Sequence, residues 1–171
     1  SDKIKFGVNG LIGEEIQIHE IEEVDAEFHA RFDAQYREYE YKILKKASPL
    51  RNRTAWFPNS AFDIELVTVC CELLNGEYDF NGFSKFNEDN YTTLCTILLA
   101  EIEEREEEII FRIRANRFLR NMVRRLVGTM IEVGKGKISV SEFKAILENP
   151  DSKIPTNTAP AKGLTLIKVF Y

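Results

Sequence analysis

The apolar positions of the first segment, residues 4–12, keep amphipathic spacing and stop at Gly13. Ile16 and Ile18 then alternate with Gln17 and His19, and the pattern runs on through Ile21 to Val24, which predicts a strand. Residues 28–44 alternate over a longer stretch rich in aromatics, as strands prefer. Residues 49–58 read as a loop anchored by Trp56 and Phe57. Helical spacing returns at Phe62, Leu66, Val67, Cys70, Leu73 and Leu74, with Asn75-Gly76 as the stop. Residues 77–91 form a polar loop in which Tyr78, Phe80, Phe83 and Phe86 look buried. Residues 93–101 and 109–114 predict an antiparallel hairpin around a Glu-rich turn. A helix from Phe118 to about Val133 ends in Gly134-Lys135-Gly136. Ser139 or Ser141 caps a short helix through Leu147, stopped by Asn149-Pro150. After a loop over 155–163, residues 164–171 alternate as a last strand. The order β-β-α-β-β-α-α-β predicts an α+β fold, a mainly antiparallel sheet with helices packed on one side.

Composition sets the scale. The 171 residues, 44% hydrophobic and 30% charged, suit a soluble globular domain, or a domain plus a remnant. No long uncharged apolar run predicts a membrane span, and no basic-then-apolar leader is visible. Cys70, Cys71 and Cys95 are odd in number and lack C-x-x-C spacing, which argues against a disulfide framework or a zinc site and for a reducing cytosol.

The net charge of −5 speaks against a nucleic-acid partner only until its distribution is considered. Residues 1–30 carry eight acids against Lys3 and Lys5, whereas residues 31–58 carry seven basic residues against three acids. The run from Glu101 to Glu108, six acids around Arg105, reads as a solvated turn. Residues 112–137 then hold eight basic residues against Glu132 alone. That cluster is either an exposed helix face or an anion site, and screening over about 8–10 Å lets such a patch act independently of the total.

Two segments carry candidate chemistry. In the first, within the strand predicted over residues 28–44, Arg37, Tyr39 and Tyr41 share a face. This suits a flat aromatic ligand, stacked on a ring while the guanidinium takes a phosphate or carbonyl; the alternative is that the tyrosines are core residues with satisfied hydroxyls. In the second, Phe118, Leu119, Met122, Val123, Leu126 and Val127 fill one half of a helix. Arg117, Arg120, Asn121, Arg124 and Arg125 fill the other, with Gly128 among them. A helical Gly costs about 1 kcal/mol against Ala, so close approach of another backbone is expected at Gly128. His19 and His29 have no metal-ligand spacing, and no Gly-rich phosphate loop or G-x-S-x-G elbow occurs. The residues by themselves point to a basic, aromatic surface suited to RNA, without showing catalysis.

Several ordered segments resemble the tRNA pseudouridine synthase A family. They are Phe28-His29-Ala30-Arg31-Phe32 with Arg37-Glu38-Tyr39-Glu40-Tyr41, and Leu73-Leu74-Asn75-Gly76 leading to Asp79-Phe80. Ala115-Asn116-x-Phe118-Leu119-x-x-Met122-Val123-Arg124 follows, then Gly128 and Val133-Gly134-Lys135-Gly136. Thr158-Ala159-Pro160-x-x-Gly163-Leu164-x-Leu166 closes the set, ending near Val169-Phe170-Tyr171. The resemblance implies isomerisation of uridine in tRNA, around the anticodon stem-loop, by breaking the glycosidic bond and rejoining the base through carbon. It implies no cofactor and no metal. By position, Tyr39 resembles the tyrosine that packs on the target base, with Arg37 beside it. Arg124 resembles the arginine paired with the catalytic aspartate, and Leu164 the leucine lining the uridine pocket. Arg117, Arg120 and Arg125 would lie near the RNA backbone.

The family's nucleophilic aspartate sits in a G-R-T-D-A-G-V-H-type segment, and this chain has none. Asp2, Asp33, Asp79 and Asp151 all lack a matching context, and residues 6–13 resemble the stretch downstream of that segment. The resemblance therefore implies a C-terminal portion, inactive alone: residues 1–27 a remnant of the N-terminal subdomain, 28–171 the C-terminal subdomain. Glu38 and Glu40 stand where the family often has basic residues, and alternation should turn them away from Tyr39. Arg124, without its aspartate, should be solvent-exposed or take a carboxylate or bound anion instead. Residues 14–27 would be a strand edge missing its sheet, favouring a homodimer or other strand-edge association. The rival reading is a non-catalytic RNA-binding or assembly module. A purely structural protein would need Arg124 and Tyr39 buried and mutually satisfied.

Overall fold

The computed structural model describes residues 2–88 and 90–171, in two compact units divided between Asp33 and Ala34. In the first unit, helix α1 (Asp2–Asn9) buries no residue. The Asn9 side chain clasps the following chain, its Nδ2 donating to Ile18 O (2.8 Å) and its Oδ1 accepting from Ile18 N (2.9 Å). No strand forms over 16–24, contrary to the alternation there, and with it goes the strand edge expected in 14–27. A strand needs a neighbour to take its N–H and C=O groups. This acidic stretch finds none, and Ile16 and Val24 stay exposed.

The second unit holds a five-stranded antiparallel sheet of β1 (Tyr36–Leu44), β2 (Gly76–Asp79), β3 (Leu94–Glu104), β4 (Glu108–Ala115) and β5 (Leu164–Phe170). Their spatial order is β2-β3-β4-β1-β5. Helices α2 (Ile64–Glu72), α3 (Met122–Gly134) and α4 (Val140–Glu148) bury their apolar sides on one face of it. Phe111, Ile113 and Tyr41 from the sheet meet Met122, Leu126 and Met130 from α3 there, so the α+β expectation holds.

Local chemistry explains the element ends. Asp63 caps α2 by accepting from Glu65 N and Leu66 N. Of the two serines considered for α4, Ser139 is the cap, in a reciprocal capping box with Glu142. Helix α3 begins four residues later than its apolar periodicity suggested, because Asn121 adopts a left-handed conformation (φ 62°) that a helix cannot continue through. The strand predicted over residues 28–44 likewise starts only at Tyr36, as β1, and β2 occupies a stretch whose polarity read as loop. Phe80 and Phe83 are buried as expected, but Phe86 is exposed. The Glu-rich run is mostly strand, because Glu101 and Glu103 extend β3 and pair with Arg112 across the sheet.

Cys70, Cys71 and Cys95 are free and buried, and burial pushes their thiols up from 9.0 to about 12, about 12 and about 11. A buried neutral thiol is a poor nucleophile. The native chain is therefore expected to be silent to a disulfide-exchange reagent at about pH 8, and to release all three thiols in concentrated guanidinium. The raised values mean that unfolding releases protons once the pH passes the ordinary thiol value. Urea stability should thus decline as pH climbs from about 9 toward about 12. Rapid labelling of the native chain would contradict this.

Candidate active site

Alternation along β1 sorts its side chains. Glu38 and Glu40 lie on the sheet face away from the helices, where Arg114 Nε donates to Glu38 (2.7 Å) and Arg112 Nη2 to Glu40 (2.9 Å). Arg112 also reaches Glu101 and Glu103, so an ordered ladder of charges covers that face. The bonds to Glu40 and Glu101 hold the Arg112 guanidinium above its usual range.

Tyr39 and Tyr41 point to the helical side with different fates. Tyr41 is fully buried, its hydroxyl donates to Pro160 O (2.6 Å), and its ring lies directly on Gly163. Burial pushes its pKa upward, partly opposed by the positive charge of Arg124. Tyr41 is thus a core tyrosine. Tyr39 is only half-buried and meets the edge of Phe118, with ring centroids 5.0 Å apart.

Beside Tyr39 is a hollow of about 130 Å³ lined by Phe118, Asn121, Met122, Arg124 and Leu164 among others. Its size approaches the ~150 Å³ cavity that admits a benzene ring. Larger hollows of about 410 and 390 Å³ around Leu44, Phe57 and Asn59 contain none of the candidate residues. Four pieces of the fold build the small one: β1 supplies Tyr39, the turn into α3 supplies Phe118 and Asn121, α3 itself supplies Met122 and Arg124, and the start of β5 supplies Leu164.

Arg124 is half-buried, neither fully exposed nor paired with a carboxylate or anion as expected. Its Nε donates to Ala159 O (2.7 Å) and its Nη1 to Asn121 Oδ1 (3.2 Å). Neutral acceptors thus take two of its nitrogens, while Nη2 has no partner among the described residues. With Tyr39 and Arg124 both open to this hollow and not bonded to each other, the purely structural reading fails its own requirement.

The structure gathers Tyr39, Arg124 and Leu164 at one place and leaves the remaining candidates outside the lining. Arg37 Nη1 lies 3.4 Å from Asn116 O. Arg117 and Arg120 sit in the turn before α3, Arg120 exposed and Arg117 half-exposed. Arg125 turns its Nη1 to Ser84 O (2.7 Å). Phe118, Asn121 and Met122, which periodicity assigns to the helix, are also lining residues; an asparagine set among the arginines of the basic segment was the available signal.

Chemically the hollow offers aromatic and aliphatic walls for a flat ring and an oriented guanidinium for an anion. Its lining residues include no carboxylate, histidine, cysteine or serine. Among the described residues no group of three or more His, Cys, Asp or Glu is placed to hold a metal ion.

The profile of a family described as tRNA pseudouridine synthase matches residues 70–171, which include Arg124 and Leu164. The chain belongs to that family. Proteins named tRNA pseudouridine synthase A extend the match to Tyr39. That of Bacteroides fragilis is 36% identical over 171 residues, covering 99% of this chain and 68% of the relative. That of Brevibacillus brevis is 38% identical over 172 residues, covering 99% and 70%. That of Chlorobaculum tepidum is 38% identical over 169 residues, covering 99% and 68%. Membership in the tRNA pseudouridine synthase family implies tRNA as the substrate class. It also sharpens the question of where a nucleophile would come from.

Proposed function

We propose that this chain is the C-terminal portion of a cytoplasmic tRNA pseudouridine synthase that isomerises uridine in the anticodon stem-loop region. Residues 1–27 are then the tail of the N-terminal subdomain, and residues 28–171 the C-terminal RNA-binding subdomain. Tyr39 takes the face of the target base and Leu164 its edge. Arg124 holds, through its open Nη2, the carboxylate that attacks the nucleoside. Arg37, Arg117 and Arg120 face the RNA, with Arg125 anchoring the same turn.

The observation that carries this reading is the convergence of Tyr39, Arg124 and Leu164 on one ring-sized hollow whose lining has a guanidinium but no carboxylate. The reaction moves the base from nitrogen to carbon attachment with no net gain or loss of atoms, so a nucleophile and a proton acceptor suffice, without cofactor or metal. The missing carboxylate is supplied from outside residues 1–171. Strand β5 ends the sheet with Leu166 and Ile167 about half exposed, and such an edge pairs with another strand. We assign it to the N-terminal half of the enzyme, or to a second copy in a homodimer.

The test is conversion of uridine in unmodified tRNA. The 171-residue chain alone should make no pseudouridine, and a polypeptide carrying a G-R-T-D-type segment ahead of it should convert tRNA with many turnovers. Conversion by the chain alone would overturn the external carboxylate. Failure of both, with tRNA still bound, would favour a non-catalytic RNA-binding module.

A further inference from the structure

We propose that Thr129, together with Gly128, is a positioning residue for Arg124, acting through the backbone of residues 157–159. The inference rests on the role given to Arg124 above.

Thr129 is fully buried in a core otherwise almost free of polar side chains. A valine would fill the same space without the desolvation cost of a hydroxyl. The hydroxyl is used twice. It donates to Arg125 O one turn back (2.8 Å), which leaves its lone pairs for Asn157 N, 3.3 Å away. Next to it, Gly128 lets the same segment lie on the helix: a Cβ there would stand 2.4 Å from Asn157 O and 2.8 Å from Ala159 N.

Residues 157–159 thus form a strap seated on α3, and the strap grips Arg124 from both ends. Ala159 N donates to the Arg124 carbonyl (3.0 Å), and Arg124 Nε donates to the Ala159 carbonyl (2.7 Å). Asn121 completes the fork from the other side. It stands at the helix N-terminus in a left-handed conformation, forgoes capping, and turns its Oδ1 to Nη1. A guanidinium held at Nε and Nη1 has one direction left for Nη2. Downstream, the strap is pinned by the Tyr41 bond to Pro160 O and delivers Leu164 to the same hollow. Loosening the strap therefore moves two walls of the hollow together, without touching Arg117 or Arg120.

The experiment follows the Arg124 Nε–H proton by NMR in the 171-residue chain. It should exchange slowly in the wild type. It should exchange about tenfold faster in Thr129→Val, which loses both bonds of the hydroxyl, the one from Asn157 N being the one that holds the strap, and return to the wild-type rate in Thr129→Ser. Thr129→Ala serves if the valine variant does not fold. In the longer, active polypeptide the same variants should lower kcat about tenfold with KM for tRNA nearly unchanged, since the RNA contacts are intact. Unchanged exchange in both Thr129→Val and Thr129→Ala would overturn the inference, whatever the activity. Faster exchange with full kcat would instead overturn the role of Arg124 on which it rests.

Discussion

Gly128→Ala is expected to destabilise the chain by about 2–3 kcal/mol, read as a lower urea midpoint at unchanged m-value. In an ordinary helix interior the substitution would gain about 1 kcal/mol. Here the added methyl would meet Asn157 O at 2.4 Å, Asn157 C at 2.7 Å and Ala159 N at 2.8 Å. All three are backbone atoms, so no side chain can swing aside. Either the strap lifts, giving up the paired bonds between Ala159 and Arg124, or α3 moves off the sheet. Both outcomes cost more than helix propensity returns, since the strap buries Ala159 almost completely and Tyr41 depends on Pro160 for its hydroxyl. An equal or higher midpoint would show that the strap does not bear on the helix.

That expectation began as a sequence observation, a glycine on the polar side of a helix, and it shows what the chain reveals about itself. Periodicity finds an element when its partner is implied by its own pattern. Alternation placed Tyr39 opposite Glu38 and Glu40 because β1 is enclosed by β4 and β5 and cannot slip without inverting its faces. The same argument failed at residues 16–24, where alternating isoleucines have no neighbouring strand and the acidic residues between them favour solvent. The start of α3 was hidden for a different reason. Phe118 and Met122 keep helical spacing, yet a single left-handed Asn121 separates them, and a hydropathy pattern does not register the sign of φ. The strap was the least legible part of the site. Its contacts are made by backbone atoms of residues 157–159 with a helix about thirty positions earlier, and backbone groups leave no mark in residue type except at the glycine that admits them.

Arg124→Lys, placed in a polypeptide that carries the proposed aspartate segment, should lower kcat about 100-fold while stability and tRNA affinity change little. Arginine does two jobs at this position. Nε and Nη1 are committed to Ala159 O and Asn121 Oδ1, which in the proposed role leaves Nη2 for the incoming carboxylate. Lysine brings the same charge as a single ammonium on a flexible stem. Its Nζ can bond Ala159 O or reach a carboxylate in the hollow, but one nitrogen cannot anchor itself and present a second. Stability should be nearly preserved, because the Ala159 N bond to the residue-124 carbonyl does not depend on the side chain and a lysine stem covers much the same apolar wall. Binding should be preserved because Arg117 and Arg120 lie outside the hollow. The loss therefore belongs in kcat, and single-turnover kinetics on unmodified tRNA would locate it there. A Lys variant with wild-type turnover would mean that charge alone suffices, and that the fork formed by Ala159 and Asn121 serves the fold and not the reaction.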